Sequence, residues 1–301
     1  MSPRCGTVAL VGRPNAGKST LLNRWVAEKV AIVSDKPQTT RHRLIGIVNG
    51  GRGQMVLWDT PGIHRGKHRL NRRMMQETLD SLNAADVVCL LADATASHGS
   101  GDEYVIELLS KVEAPRLVAV NKIDRVNKRG LLPRMERYAE AGFFDEIVPI
   151  SALDGDGAEV LIDLLWDRLP EGGARFDRDM FTVHPERFLA AEWVREQVLA
   201  RTRDELPYST AVLIERWQED GPGGILHIEG SILVERDGQR RIVIGSGGSM
   251  IKAISTDARL GLEELLDRRI YLRLEVRCED NWRERKTVLA RLESEVGGDL
   301  D

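Results

Sequence analysis

The stretch Val8-Ala9-Leu10-Val11-Gly12-Arg13-Pro14-Asn15-Ala16-Gly17-Lys18-Ser19-Thr20 decides the fold. A short apolar run, long enough for one strand buried on both faces, breaks into a Gly- and Pro-containing loop. The helix-compatible Leu21-Leu22-Asn23 follows at once. Strand, Gly-x4-Gly-Lys-Ser loop and helix in that order form a phosphate-binding unit. Its glycines let backbone N–H groups turn inward around phosphate oxygens, and the helix N-terminus adds partial positive charge.

Working outward, further apolar runs at 54–58, 87–92, 117–120 and 147–150 alternate with amphipathic stretches. This predicts an α/β, doubly wound, mostly parallel sheet over residues 1–172. Leu169-Pro170-Glu171-Gly172-Gly173-Ala174-Arg175 interrupts the periodicity, so a linker is expected over 173–185. Beyond it comes a helical pattern from Phe188, then two alternating strands in which Leu226, Ile228, Ile232 and Val234 share a face. A Gly-rich turn, a helix through Ile251 and Ile254, and a last strand with Leu272, Leu274 and Val276 on one face follow. This second, α+β domain is expected over 186–292, with a disordered acidic tail over 293–301.

Composition narrows the class. The 301 residues are 42% hydrophobic and 30% charged, with no apolar run long enough to span a bilayer. The N-terminus lacks a signal-peptide core, so a cytoplasmic location is expected. Cys5, Cys89 and Cys278 have no paired spacing, which argues against a disulfide framework or a zinc site. The net charge of −4 does not by itself suggest nucleic acid.

The other chemistry-bearing segments lie where apolar strands end. Lys18 is positioned to bridge terminal phosphates and the Ser19 hydroxyl to ligate Mg²⁺, so Gly12, Arg13, Pro14, Asn15, Ala16, Gly17, Lys18, Ser19 and Thr20 are expected to cradle a nucleotide. Asp59-Thr60-Pro61-Gly62 puts a carboxylate at the end of 54–58, where Asp59 can hold the Mg²⁺ and the Gly62 N–H can reach a γ-phosphate. Asn121-Lys122-Ile123-Asp124 selects the base. A fixed carboxylate accepts from the N1–H and 2-amino groups of guanine, whereas adenine would leave it unpaired. Ser151-Ala152 can offer a backbone N–H to the guanine O6. GTP or GDP with Mg²⁺ is therefore the expected ligand set. Between loop and Asp59, the polar run 36–43 has the character of a switch segment ordered by the γ-phosphate.

VGRPNAGKSTLLN, IVSDKPQTTRHR, WDTPGIH, NKID and the SAL at 151–153 resemble the Era family of bacterial GTPases. The resemblance implies that Thr40 is the Mg²⁺-binding switch residue, with Thr39 as alternative. Ile63 stands where Ras-like switches carry a water-positioning Gln, so slow intrinsic hydrolysis is expected. By the same resemblance Asn15 would help bind K⁺ against the phosphates; alternatively, Asn15 only tolerates the loop's backbone angles. Lys18, Thr40, Gly62 and Asn15 are thus the expected catalytic set.

In the second domain Gly245-Ser246-Gly247-Gly248 is a Gly-x-x-Gly turn leading to Ile251 and Lys252. Its setting resembles the type II KH domain that ends Era proteins, which implies binding of unstacked bases beside that turn. The resemblance implies the 3′ end of small-subunit ribosomal RNA as ligand, a role in small-subunit assembly, and peripheral contact at the inner face of the cell membrane. A monomer is expected. Two departures stand out: the turn carries no Lys, and the C-terminus is acidic. Residues 240–286 hold eleven Lys and Arg against eight acids, a modest local excess. The competing reading is a non-enzymatic RNA-binding scaffold with guanine nucleotide as a structural ligand, and Ile63 is its best support.

Overall fold

A computed structural model describes residues 2–64, 68–221 and 223–297. The chain divides into two compact units, with the main break between Val183 and His184.

The first unit is a six-stranded sheet in the order β2-β3-β1-β4-β5-β6. Its strands are β1 (Arg4–Gly12), β2 (Leu44–Gly50), β3 (Gly53–Asp59), β4 (Val87–Asp93), β5 (Arg116–Asn121) and β6 (Glu146–Pro149). Val8, Ala9, Leu10 and Val11 have no exposed surface, as a central parallel strand covered on both faces requires. All neighbours run parallel except β2, which pairs antiparallel with β3 along the edge. The helices are α1 (Lys18–Val26), α2 (Arg69–Ala84), α3 (Ser100–Leu109), α4 (Lys128–Glu140) and α5 (Ala158–Arg168). Because β1 lies between β3 and β4, the strand order reverses at its carboxyl end, and the loop 12–17 emerges at that switch point.

Two sequence expectations need correction here. Residues 173–183 are not a free linker but a strap held to the first unit. Arg175 N and Phe176 N donate to Gln54 Oε1 at 2.8 and 2.9 Å, Asn49 Nδ2 donates to Arg178 O at 3.0 Å, and Ile47 N donates to Phe181 O at 2.9 Å. The side chains of Gln54 and Asn49 satisfy backbone groups of a segment that forms neither helix nor strand of its own.

The second unit has α6 (Glu186–Arg201), α7 (Leu206–Ser209), β7 (Ala211–Glu219), β8 (Leu226–Val234), α8 (Asp237–Ile244), α9 (Ser249–Leu266), β9 (Ile270–Cys278) and α10 (Lys286–Ser294). Its sheet is β7-β8-β9, antiparallel then parallel. Val194 of α6, Ile228 and Ile232 of β8 and Ile254 and Leu262 of α9 share one core and expose nothing. Truncating one of these isoleucines would cost about 2–4 kcal/mol. Gly261 admits Trp193: a Cβ there would stand 2.2 Å from the indole.

The second correction concerns the tail. α10 continues to Ser294, Glu295 lies 3.9 Å from Arg187, and the Val296 carbonyl is 2.9 Å from His184 Nδ1, so 293–297 pack on the second unit. The rest of the expected tail, 298–301, lies outside the described residues.

Candidate functional site

The site of the first unit begins with backbone strain. Gly17 has φ 98°, and a Cβ on it would stand 2.1 Å from Asn121 Nδ2, so only glycine fits. α1 starts at the next residue with no side-chain cap, which leaves its first-turn N–H groups facing the loop.

Behind the loop lies a centre where three sequence-predicted residues meet. Asp59, wholly buried, accepts through Oδ2 from Ser19 Oγ at 2.5 Å and from Thr40 Oγ1 at 3.3 Å, and those hydroxyls are 3.0 Å apart. Asp59 Oδ1 is buried without a hydrogen-bond partner. Burial pushes the Asp59 carboxyl up, opposed by the Lys18 charge and the two hydroxyls. Burial also pushes the Lys18 ammonium down, opposed by Asp59. Two hydroxyls and a carboxylate with an orphaned oxygen are an oxygen donor set that fits Mg²⁺. A polyphosphate would add anionic partners to the Arg13 carbonyl that Lys18 Nζ already meets at 3.3 Å, offsetting the cost of burying its charge. Thr39 is not at this centre, since its hydroxyl donates to Lys36 O at 2.6 Å.

Asn121 joins the loop to the base-recognition segments: its Nδ2 donates to Ala16 O at 2.7 Å and its Oδ1 accepts from Ala152 N at 2.8 Å. Ser151 Oγ donates to Asp124 Oδ1 at 2.8 Å and the exposed Arg125 side chain stands 3.5 Å from Oδ2, so Ser151 pins one carboxylate oxygen while only a surface ion pair meets the other. Lys122 donates to Asp93 Oδ2 at 2.6 Å. A cavity of about 440 Å³ opens beside Pro14, Asn15, Lys18, Ser19, Thr40 and Lys122; Gly17 and Thr20 also line it.

Some predicted residues turn elsewhere. Arg13 pairs with Asp102 at 2.8 Å, Thr60 Oγ1 donates to Leu10 O at 2.9 Å, and Pro61 O accepts from Thr78 Oγ1 at 3.2 Å. Gly12 O accepts from Ile63 N at 2.9 Å, and the Ile63 side chain is buried. Gly62 lies against Pro14, where a Cβ would come within 2.8 Å of its Cα. Asn15 has φ 63°, and its Nδ2 donates to Asp35 O at 2.5 Å. The sequence reading missed Asp93 and Arg24. Asp93 ends a strand as Asp59 does, which was the available signal. Arg24 Nε donates to Ala152 O at 2.7 Å from a helix 128 residues away, which no local pattern shows.

In the second unit, Gly245, Gly247 and Gly248 have φ 75°, 58° and 80° between α8 and α9. Ser246, Gly247 and Lys252 are exposed and Ile251 half-buried. A Cβ on Gly245 would stand 2.7 Å from that of Met250. Asp237 lies 3.6 Å from Arg240 and 3.3 Å from Arg241, which tempers the positive charge beside the turn.

A phosphate-binding loop at a sheet switch point, a buried Ser-Thr-Asp centre and a pinned Asn-Lys-x-Asp segment, followed by a Gly-x-x-Gly turn between two helices, define a guanine-nucleotide-binding GTPase with a KH domain. Family models agree in both units: "50S ribosome-binding GTPase" matches residues 7–122 and "KH domain" residues 205–283. GTPase Era of Geotalea uraniireducens (strain Rf4) is 46% identical, covering 95% of this chain and 96% of its own. GTPase Era of Geobacter sp. (strain M21) is 47% identical with the same coverage. A crystal structure of Era in complex with MgGDPNP and nucleotides 1506–1542 of 16S ribosomal RNA superposes with TM-score 0.93 at 38% identity, covering 96% of this chain and 98% of that one. An Aquifex aeolicus Era variant bound to GDP and AlF₄⁻ gives 0.91 at 38% identity, with the same coverage. The chain belongs to the GTPase Era family. It is a GTPase that takes GTP and GDP with Mg²⁺, which sets the non-enzymatic reading aside.

Proposed function

We propose that this GTPase is a switch that binds the 3′ end of small-subunit ribosomal RNA through its second unit and assists small-subunit assembly, with GTP favouring the RNA-competent state. The observation that carries the reading is the Thr40 hydroxyl at 3.3 Å from Asp59 and 3.0 Å from Ser19. Those contacts tie the 36–43 segment to the centre that senses the terminal phosphate. Support for the RNA comes from the relative complexed with 16S ribosomal RNA, which covers both units.

In this reading residues 2–183 form the nucleotide domain and 184–297 the KH domain, whose RNA contacts are Gly245, Ser246, Gly247, Gly248, Ile251 and Lys252. Ser19, Thr40 and Asp59 hold the Mg²⁺, which supplies a Lewis acid for the terminal phosphates. Lys18 neutralises charge on the transferred phosphoryl group, and the Gly62 N–H donates to it. Ile63, buried and aliphatic, orients no water, so hydrolysis relies on electrostatics. Asn15, whose Nδ2 donates to Asp35 O, would supply them by helping to hold a K⁺ against the phosphates. An unchanged hydrolysis rate on replacing K⁺ with Na⁺ would remove that role.

The protein works in the cytoplasm as a monomer, and any contact with the inner face of the cell membrane is peripheral. No helix among the described residues is long and apolar enough to cross a membrane.

Fluorescence anisotropy of a labelled RNA copying the 3′ end of small-subunit ribosomal RNA tests the proposal. Binding tighter with a non-hydrolysable GTP analogue than with GDP is expected. Equal affinity with GTP analogue, GDP and no nucleotide would remove the switch, and no binding would remove the RNA.

A further inference from the structure

Within the first unit, a second cavity of about 450 Å³ lies between α3, α4 and the carboxyl ends of β4 and β5. That size matches small-molecule sites. Its floor includes Val120 and Tyr138, both buried, and its rim carries Ser97, His98, Arg134 and Arg137. The charges within it are unequal in status. Asp93 is engaged by Lys122 at 2.6 Å and Asp102 by Arg13 at 2.8 Å. Arg134 and Arg137, one helical turn apart on α4, have no carboxylate within ion-pair distance among the described residues. Two uncommitted guanidiniums above an apolar floor with one aromatic ring suit a multiply charged anion on a compact body, because planar forked donors match carboxylate and phosphate oxygens.

The cavity also reaches the phosphate loop. A recess of about 80 Å³ shares Ala92, Asp93, Ala96, Asp102 and Tyr138 with it and extends to Arg13 and Pro14. Asp102 accepts from Arg13 Nη1 at 2.8 Å and from Gly99 N at 3.0 Å, while the Arg13 carbonyl accepts from Lys18 Nζ at 3.3 Å. Charge placed against Arg134 and Arg137 is therefore one ion pair from the loop that grips the nucleotide, and the cavity adjoins the nucleotide cavity at Asp93, which lines both.

We propose that this cavity is an effector site for a small phosphorylated or polycarboxylate metabolite, whose binding changes the rate of nucleotide release through the Asp102–Arg13 and Asp93–Lys122 pairs. The chain saturated with Mg²⁺ and GDP is titrated calorimetrically with pyrophosphate and, separately, tricarballylate, magnesium being kept in excess. The two arms distinguish phosphate from carboxylate recognition. One equivalent binding with Kd below about 1 mM is expected for at least one probe. It should be insensitive to added GDP and weakened about tenfold or more in R134Q/R137Q, whose own affinity for GDP is unchanged. With the bound probe, release of a fluorescent GDP analogue should shift at least about twofold in the parent chain and not in the double variant. No saturable binding of either probe, binding that survives R134Q/R137Q, or competition by GDP overturns the site. Binding that leaves the release rate untouched overturns the coupling.

Discussion

The two recognition elements are built in opposite ways. The nucleotide site is made of buried side chains with assigned partners: Asp59 and Ser151 have no exposed surface, Asn121 is 2% exposed, and each holds a hydrogen bond to another predicted residue. The Gly-x-x-Gly turn is made of backbone. Its glycines set the path, and its variable residues, Ser246 and Gly247, are exposed. A buried polar network fails when one member changes, because the remaining members are left unsatisfied in low dielectric. An exposed turn tolerates exchange of side chains, and its affinity is adjusted by charge in small steps.

The largest expected effect breaks the buried centre. Lys18→Ala removes the cation that opposes the burial-raised carboxyl of Asp59 and the charge expected against the phosphates. Single-turnover hydrolysis should fall by about a hundredfold or more. A rate within about tenfold of the parent would show that the centre is not organised around Lys18.

Next, Asp124→Asn keeps the acceptor that Ser151 uses and replaces the other oxygen with a donor. Affinity for GDP should fall about a hundredfold, close to 2.7 kcal/mol, while xanthosine diphosphate, whose 2-carbonyl accepts from the new amide, should gain. Competition against a fluorescent GDP analogue measures both. Equal loss for the two bases would mean that Asp124 acts through structure and not through the base.

At the turn the sign reverses, because substitution there adds function. Ser246→Lys places a cation on an exposed position that carries none. RNA affinity should rise about two- to fivefold, and the dependence of log K on log salt should steepen by about 0.7, as one more neutralised phosphate of a single strand requires. Unchanged affinity and slope would place the RNA backbone away from the turn.

The same contrast explains what the sequence shows and what it conceals. The loop, Asp59 and the 121–124 segment are legible because chemistry restricts the residue types and because each ends an apolar run. β2 escapes notice: Leu44-Ile45-Gly46-Ile47-Val48 follows the polar switch segment and contains a glycine, which weakens it as a strand. That glycine is required by a helix elsewhere, since a Cβ on Gly46 would stand 2.7 Å from Val26 Cγ2 of α1. Residues 173–183 read as linker because their partners, Gln54 and Asn49, are more than a hundred residues away. Arg13 illustrates the limit inside the motif itself: its position is legible, but not its pairing with Asp102.

The smallest effect lies in the second unit, where the acidic end reads as tail yet packs. Burial raises the Glu295 carboxyl to about 7, against the pull of Arg187, the Ile214 backbone and Arg291. Below about pH 4.5 this group is protonated in both the folded and the unfolded chain. Between there and about 7 the unfolded chain gives up the proton that the folded one keeps, so the contribution of Glu295 to stability is lost as pH rises through that window. Because the group is only partly buried, the loss should be on the order of 1 kcal/mol after allowance for solvent screening. Thermal unfolding of the KH domain, followed from pH 5 to 8, should therefore show a downward slope that is flatter in Glu295→Gln, whose amide does not titrate. Identical slopes for the two proteins would mean that the 293–297 segment does not stay docked in solution, and that this end of the KH domain resembles the exposed turn more than the buried centre.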